Sequence, residues 1–318
     1  MIDISHLKLQ RSILSRCMSL CLIGVALLVA SPAAAEDPLV GTAQTLDPRG
    51  ISTAGALIAA PGGVNGVYQN PASIAMTTLY HIEGMYQFTS RENMHMGGLA
   101  IVDSQTLPNV AAGVSFNYTG CESNRNSHDS FDGRLSLAGS IGNVFFIGAT
   151  GRYLRLEQNT GSANWGPTGK SALPASGSLQ VKGFTMDAGA GLRLAKIVTL
   201  GVVGYNLTHT ESAFAPIQLG AGASLSLMDK ILIDVDSVID FTSHTDTGAD
   251  LRVGGELFLA DTVFVRVGYK YDFYYQRNTV AAGLGYLHNM FAIDAGFSQE
   301  IMSEGRTVVS IGFKYFVP

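Results

Sequence analysis

Thr262-Val263-Phe264-Val265-Arg266-Val267-Gly268-Tyr269-Lys270-Tyr271-Asp272-Phe273 alternates without a break. In an extended chain Val263, Val265, Val267, Tyr269, Tyr271 and Phe273 share one face, and Thr262, Phe264, Arg266, Gly268, Lys270 and Asp272 share the other. A period of two is that of a β-strand. One face is wholly apolar and aromatic; the other holds the charge. Globular strands usually run about 5–6 residues, whereas a tilted strand needs about 9–11 to cross the hydrocarbon of a membrane. This stretch has the second length.

The pattern recurs outward in both directions. At the C-terminus Thr307, Val309, Ile311, Phe313, Tyr315 and Val317 oppose Arg306, Val308, Ser310, Gly312, Lys314 and Phe316. Near the start Tyr80, Ile82, Tyr86 and Phe88 oppose His81, Glu83, Met85, Gln87 and Thr89. Fourteen such segments are expected, near 79–89, 94–103, 109–119, 131–141, 143–156, 179–194, 197–208, 215–227, 230–242, 249–259, 262–273, 277–287, 290–301 and 306–317. An even number suits a single-chain bacterial outer-membrane barrel.

The connections sort by parity. Asn143, Ala195-Lys196, Met228-Asp229, Ala260-Asp261 and Leu287-His288-Asn289 mark short turns after segments 4, 6, 8, 10 and 12. Connections after segments 3, 5, 7, 9, 11 and 13 read longer, with Glu157–Ser178 the longest. Membrane barrels have short turns at the periplasmic rim and longer loops outside; a soluble sandwich has no cause to sort its loops this way. The start breaks the rule, since the connection after segment 1 is short and that after segment 2 reads long.

Charge placement agrees. One face carries Asp187, Arg193, Asp234, Asp236, Arg252, Glu256, Arg266, Lys270, Asp294 and Lys314. A charge facing lipid at the midplane costs roughly 2–4 kcal/mol, so this face belongs to the lumen. Composition says the same: charged residues are 14%, against about 25% in soluble domains. There are 37 glycines, far too many for a helical bundle, where each interior glycine costs roughly 1 kcal/mol.

Residues 1–35 read as a secretory signal. Lys8, Arg11 and Arg16 precede the apolar stretch Met18–Ala30, and Ala33-Ala34-Ala35 gives a small-residue cleavage site. Removing them takes away three of 20 basic and one of 25 acidic residues, leaving about −7. An acidic chain argues against nucleic acid as a partner. Cys17 and Cys21 leave with the signal, and Cys121 alone forms neither an internal disulfide nor a cysteine metal site.

Residues 36–78 do not alternate. Val64, Val67, Tyr68 and Ile74 suggest that this turn-rich stretch packs, and a fourteen-stranded barrel leaves interior space for it. A plug, or hatch, in the lumen is expected, with Asn70 capping a short helix that starts at Pro71. The domains expected are thus 1–35 signal peptide, 36–78 hatch and 79–318 barrel.

Arg49-Gly50-Ile51-Ser52-Thr53-Ala54-Gly55-Ala56, then Val67-Tyr68-Gln69-Asn70-Pro71-Ala72-Ser73, then Tyr80-His81-Ile82-Glu83 resembles the N-terminal region of FadL/PorV-type outer-membrane proteins. Gly268-Tyr269-Lys270-Tyr271-Asp272 is similar to their C-terminal strands. The resemblance implies a fourteen-stranded barrel with an N-terminal hatch whose motif is Asn70, Pro71 and Ala72.

His81 and Glu83 share the lumen face of the first segment, either as an acid/base pair or, the plainer reading, as ordinary lumen polarity. Asp234 and Asp236 either hold a cation or pair with Arg252, Arg266 and Lys270, the reading favoured here. Glycine pairs such as Gly189 and Gly191 lack the following helix of a phosphate loop. No Ser-His-Asn set for lipid hydrolysis is visible, so no enzyme, metal or cofactor is expected. The expectation is an outer-membrane, lipid-embedded barrel for passive uptake of a small hydrophobic ligand. The alternative is a PorV-like barrel that anchors an exported surface protein.

Overall fold

The computed structural model describes residues 45–90, 93–122, 126–160, 177–194, 197–208, 215–242, 247–301 and 305–318. The expected signal peptide and most of the connection 157–178 lie outside them. Fourteen antiparallel strands close into a barrel in strictly sequential order. They are β1 Tyr80–Thr89, β2 Met94–Leu107, β3 Val110–Glu122, β4 Asn126–Ile141, β5 Phe145–Thr160, β6 Gly177–Leu194, β7 Val198–Tyr205, β8 Gln218–Leu227, β9 Ile231–Asp240, β10 Gly248–Leu259, β11 Val263–Asp272, β12 Arg277–His288, β13 Phe291–Glu300 and β14 Thr307–Phe316. The closing seam pairs β1 with β14, placing Glu83 opposite Lys314. Closure leaves no strand edge unpaired, which a lipid environment requires.

Two turns at the short-turn rim hold both central residues in the left-handed region: Met228 and Asp229 (φ 54° and 55°), and Ala260 and Asp261 (φ 49° and 57°). That is the backbone of a two-residue hairpin whose twist matches the strands. The second connection proves short as well. β2 runs on to Leu107 and turns at residues 108–109. The register slips between Asp103 and Leu107, where Asp103 Oδ1 accepts from the main-chain N–H of Gln105 and Thr106, each at 2.9 Å. This local kink spoils the alternation and hid the end of the strand. The connection after β2 thus joins the short set, while the strand bounds Thr89/Met94 and Glu122/Asn126 make those after β1 and β3 short as well, so the contrast of short and long begins with the connection after β5.

Outward positions are apolar: Leu99, Leu135, Leu137, Phe184, Val267, Leu284 and Ile311 are all exposed. Aromatic rows mark the two rims of the apolar band. Phe116, Phe131, Tyr153 and Phe184 neighbour one another across β3–β6 with ring centroids 4.9–6.4 Å apart. His288, Phe291 and Phe313 form a second row towards the opposite rim. Such girdles sit at membrane–water interfaces.

The N-terminal segment fills the lumen. It contains α1 Pro48–Ser52, α2 Val64–Tyr68 and the 3₁₀ helix η1 Pro71–Met76, and residues 51–60 are buried throughout. Asp47 caps α1 by accepting from Gly50 N at 2.9 Å. Asn70 caps η1, its Oδ1 accepting from Ala72 N at 3.1 Å with Pro71 at the first position. The glycine excess has its cause here. A Cβ at Gly148, Gly201 or Gly296 would lie 2.5–2.6 Å from main-chain atoms of Pro71, Ile58 and Pro48, and one at Gly268 would run into Thr53 and Ala54. Ordinary carbon contacts lie near 3.5–4.0 Å. The wall is bare at these points so that the segment's backbone can lie directly on it.

Candidate functional site

The interior has three polar assemblies. The first runs as an ion-pair chain from α1 round the β10–β14 wall. Arg49 meets Glu256 at 3.1 Å, and Glu256 also meets Arg266. Arg266 continues to Asp294 at 2.5 Å, and Asp294 to Lys314 at 2.9 Å. Lys314 also faces Glu83 at 3.6 Å and Asp47 at 3.9 Å. Arg266 and Asp294 keep only 3% and 4% of their side-chain surface exposed, so removing either leaves a buried charge with one partner fewer.

The second assembly receives the middle of the segment. Asp236 Oδ2 accepts from Ile58 N at 2.7 Å, and Asn70 Nδ2 donates to Ile58 O at 2.8 Å. Arg193 donates to Met76 O at 2.8 Å and lies 5.0 Å over the Phe146 ring. Arg252 donates to both carboxylate oxygens of Asp250, at 2.8 and 2.7 Å.

The third assembly lies towards the long-loop rim. Asp132 receives Arg134 and Arg152, each at 2.8 Å. Arg152 also donates to Asn206 Oδ1 at 3.1 Å, while Asn206 N donates to Asp187 Oδ1 at 2.7 Å. Beside this cluster is a cavity of about 180 Å³. Its apolar lining includes Leu46, Ile51, Met94, Met96, Leu154 and Leu156. Its polar lining includes Gln87, Asn117, Asp132, Arg152, Lys270 and Glu300. Its floor touches α2, since Tyr68 donates to Asn117 Oδ1 at 3.1 Å.

Each residue singled out in the sequence can now be placed. Glu256 and Arg266 enter the first assembly, Asp236, Arg193 and Asn70 the second, Asp187 the third, and Lys270 the cavity wall. Asp234 is fully buried on β9. The expected pairing of Asp234 and Asp236 with Arg252, Arg266 and Lys270 is corrected: Arg252 binds Asp250, Arg266 binds Glu256 and Asp294, and Asp236 takes a main-chain N–H. The main-chain N–H of Ile58 bonds that carboxylate, with Arg252 directly across the sheet on β10. His81 and Glu83 also part company. His81 packs on Gly63 and lies 5.7 Å from the Phe316 ring, while Glu83 turns to Lys314. His81 Nδ1 and both Glu83 oxygens take no hydrogen bond from the described residues. Among the described residues, no three His, Cys, Asp or Glu side chains are grouped to hold a metal.

Several site residues escaped the sequence reading: Asp132, Arg134 and Arg152 around the cavity, Asn206 behind them, and Tyr68 and Asn117 at its floor. The alternation of β4 and β5 does put Asp132, Arg134 and Arg152 on the lumen face. Nothing local indicates that Asn206 folds inward to bind them.

No family model and no curated protein matches the sequence. Solved structures do match the fold. The CymD monoaromatic hydrocarbon channel superimposes with a TM-score of 0.65 at 12% identity, over 86% of this chain and 97% of that one. The Ralstonia pickettii toluene transporter TbuX gives 0.66 at 12% identity, over 86% and 99%. A Pseudomonas aeruginosa FadL homologue gives 0.63 at 13% identity, over 86% and 98%. The chain thus has the fold of the FadL-like channels, a closed fourteen-stranded antiparallel barrel of the bacterial outer membrane.

Proposed function

We propose that this barrel is a passive channel for small hydrophobic compounds of single-ring size. The cavity at the long-loop rim carries the reading. Its apolar side buries a ring or short alkyl group, and its volume of about 180 Å³ is comparable to the ~150 Å³ apolar cavity that holds benzene in an engineered protein. The matched structures titled as toluene transporters and a monoaromatic hydrocarbon channel support the same size class. They are channels, not enzymes, and they lend no support to the alternative of an anchor for exported surface proteins. Transport down a gradient needs no nucleotide site.

Uptake of radiolabelled toluene by intact cells tests this, because their lipopolysaccharide leaflet is the barrier to such solutes. Expression of the barrel should raise the initial rate, and Leu154→Trp, which fills the cavity, should return it towards the level of cells without the barrel. Uptake equal to that of barrel-free cells at matched expression would sink the reading.

A further inference from the structure

β4, β5 and β6 are the longest strands of the wall, with 16, 16 and 18 residues. About 9–11 suffice to cross the hydrocarbon, so these three extend past it. The aromatic row Phe131, Tyr153 and Phe184 marks where they leave it, towards the long-loop rim. Just beyond that row the outer surface changes character. Arg155 and Lys182 follow two residues past Tyr153 and Phe184, about 6–7 Å further along the strands at ~3.3 Å per residue. Among the described strand residues near this rim, outward-facing charge is confined to Asp129, Arg155, Glu157 and Lys182, on three neighbouring strands.

The arrangement is unfavourable by itself. Arg155 lies directly opposite Lys182, and Asp129 directly opposite Glu157; like charges facing each other across a ladder repel. Glu157 is within reach of both cations. Its Oε1 accepts from Arg155 Nε and Nη2 at 3.2 and 2.7 Å and stands 4.0 Å from Lys182 Nζ. Asp129 accepts from the Tyr118 hydroxyl. Arg155 and Lys182 still expose 52% and 51% of their side-chain surface, so two positive charges stand side by side with room for an anion. Next to them is an open groove of about 240 Å³, with Tyr118 and Phe131 as aromatic walls and Asp129 and Glu157 as hydrogen-bond acceptors. Below the aromatic row, Leu135 and Met186 present exposed apolar surface.

Each of these surfaces fits one part of a single ligand. An arginine fork grips two phosphate oxygens, and a lysine adds a point charge. Aromatic faces beside carboxylates suit a sugar ring, whose C–H face stacks on them and whose hydroxyls donate to the acceptors. The apolar band takes acyl chains. We propose that the outer wall of β4–β6 binds a phosphorylated glycolipid of the outer leaflet, with a phosphate on Arg155 and Lys182 and a sugar in the groove of Tyr118 and Phe131. An anion there relieves the repulsion between the two cations. A plain phospholipid uses the cations but leaves the groove unfilled. This site is on the lipid side of the wall and is independent of the transport reading.

Native mass spectrometry of the full barrel in detergent, titrated with diphosphoryl lipid A, tests it. The parent should bind one lipid A in preference to phosphatidylglycerol. Arg155→Gln with Lys182→Gln should weaken lipid A binding about tenfold through the lost charge-assisted bonds. Dephosphorylating the lipid should do the same with the protein unaltered. Tyr118→Ala should weaken lipid A about threefold or more and leave phosphatidylglycerol as it was. Lys230→Gln, which removes an exposed cation at the opposite rim, should stay within about twofold of the parent. Phosphatidylglycerol or inorganic phosphate binding the parent as tightly as lipid A overturns the glycolipid assignment. Unchanged affinity in the double variant, or for the dephosphorylated lipid, overturns the site. Both cations are half exposed, so their removal strands no buried group, and heat-shifted gel mobility shows that the variants are folded.

Discussion

The β10–β14 wall and the β1–β4 wall treat the same N-terminal segment differently. On the first, charge meets charge and main chain meets glycine. On the second, apolar side chains meet apolar side chains, and Tyr68 with the buried Arg134 makes the polar contacts. Both surfaces are buried, so burial alone does not separate them. What separates them is how many positions each interface permits. An ion-pair chain with alternating partners has one register; an apolar patch has several of similar energy.

The sharpest way to break this contrast is to remove the centre of the ion-pair chain. Arg266→Met should destabilise the barrel by about 1.5–3 kcal/mol through its lost charge-assisted hydrogen bonds, since Asp294 keeps Lys314 and Glu256 keeps Arg49. Urea titration in lipid vesicles measures it, and a change below about 1 kcal/mol would mean that the chain is solvated and not structural. Gly268→Val comes next. Its side chain meets the main chain at Thr53 and Ala54, and overpacking of this kind costs typically 1–3 kcal/mol. The same valine at Gly84, where nothing lies within 4 Å, should be tolerated; equal losses at the two sites would refute the seating argument.

Smaller effects sharpen the other wall. Tyr68→Phe removes one buried hydrogen bond and leaves Asn117 Oδ1 without its partner. We expect a loss of about 1–2 kcal/mol, read as faster hydrogen exchange across 65–69, with 51–59 unchanged. Spread of the effect into 51–59 would show that the two halves move as one. Asn70→Ala should cost about 1–2 kcal/mol through the lost cap of η1 and the lost bond to Ile58 O, lowering the midpoint of the heat-induced gel shift while the folded band persists.

Much of this architecture is visible in the chain itself. The alternation Val263 to Phe273 marks β11, and its inward set Arg266, Gly268 and Lys270 is inward in the structure. The strand ends that shift most are in β2, which runs on to Leu107 past the place where Asp103 folds the backbone back on its own side chain, in β4, which starts at Asn126 and not near 131, and in β5, which runs on to Thr160. The site was less accessible. Inward polarity identifies Asp236 and Arg252 as lumen residues but not as neighbours of Ile58 and Asp250. Tyr68 reads as a packing residue in a turn-rich stretch, and its role depends on Asn117, which lies on β3.

Strand number and strand facing follow from the sequence by itself. A two-residue period and a turn signal are local, and lipid on one side fixes which face must be free of charge. Which carboxylate meets which cation, and which glycine accepts which stretch of main chain, only the tertiary structure decided. Arg49 and Glu256 are 207 residues apart, and no local pattern encodes a contact made when the barrel closes around its own N-terminal segment.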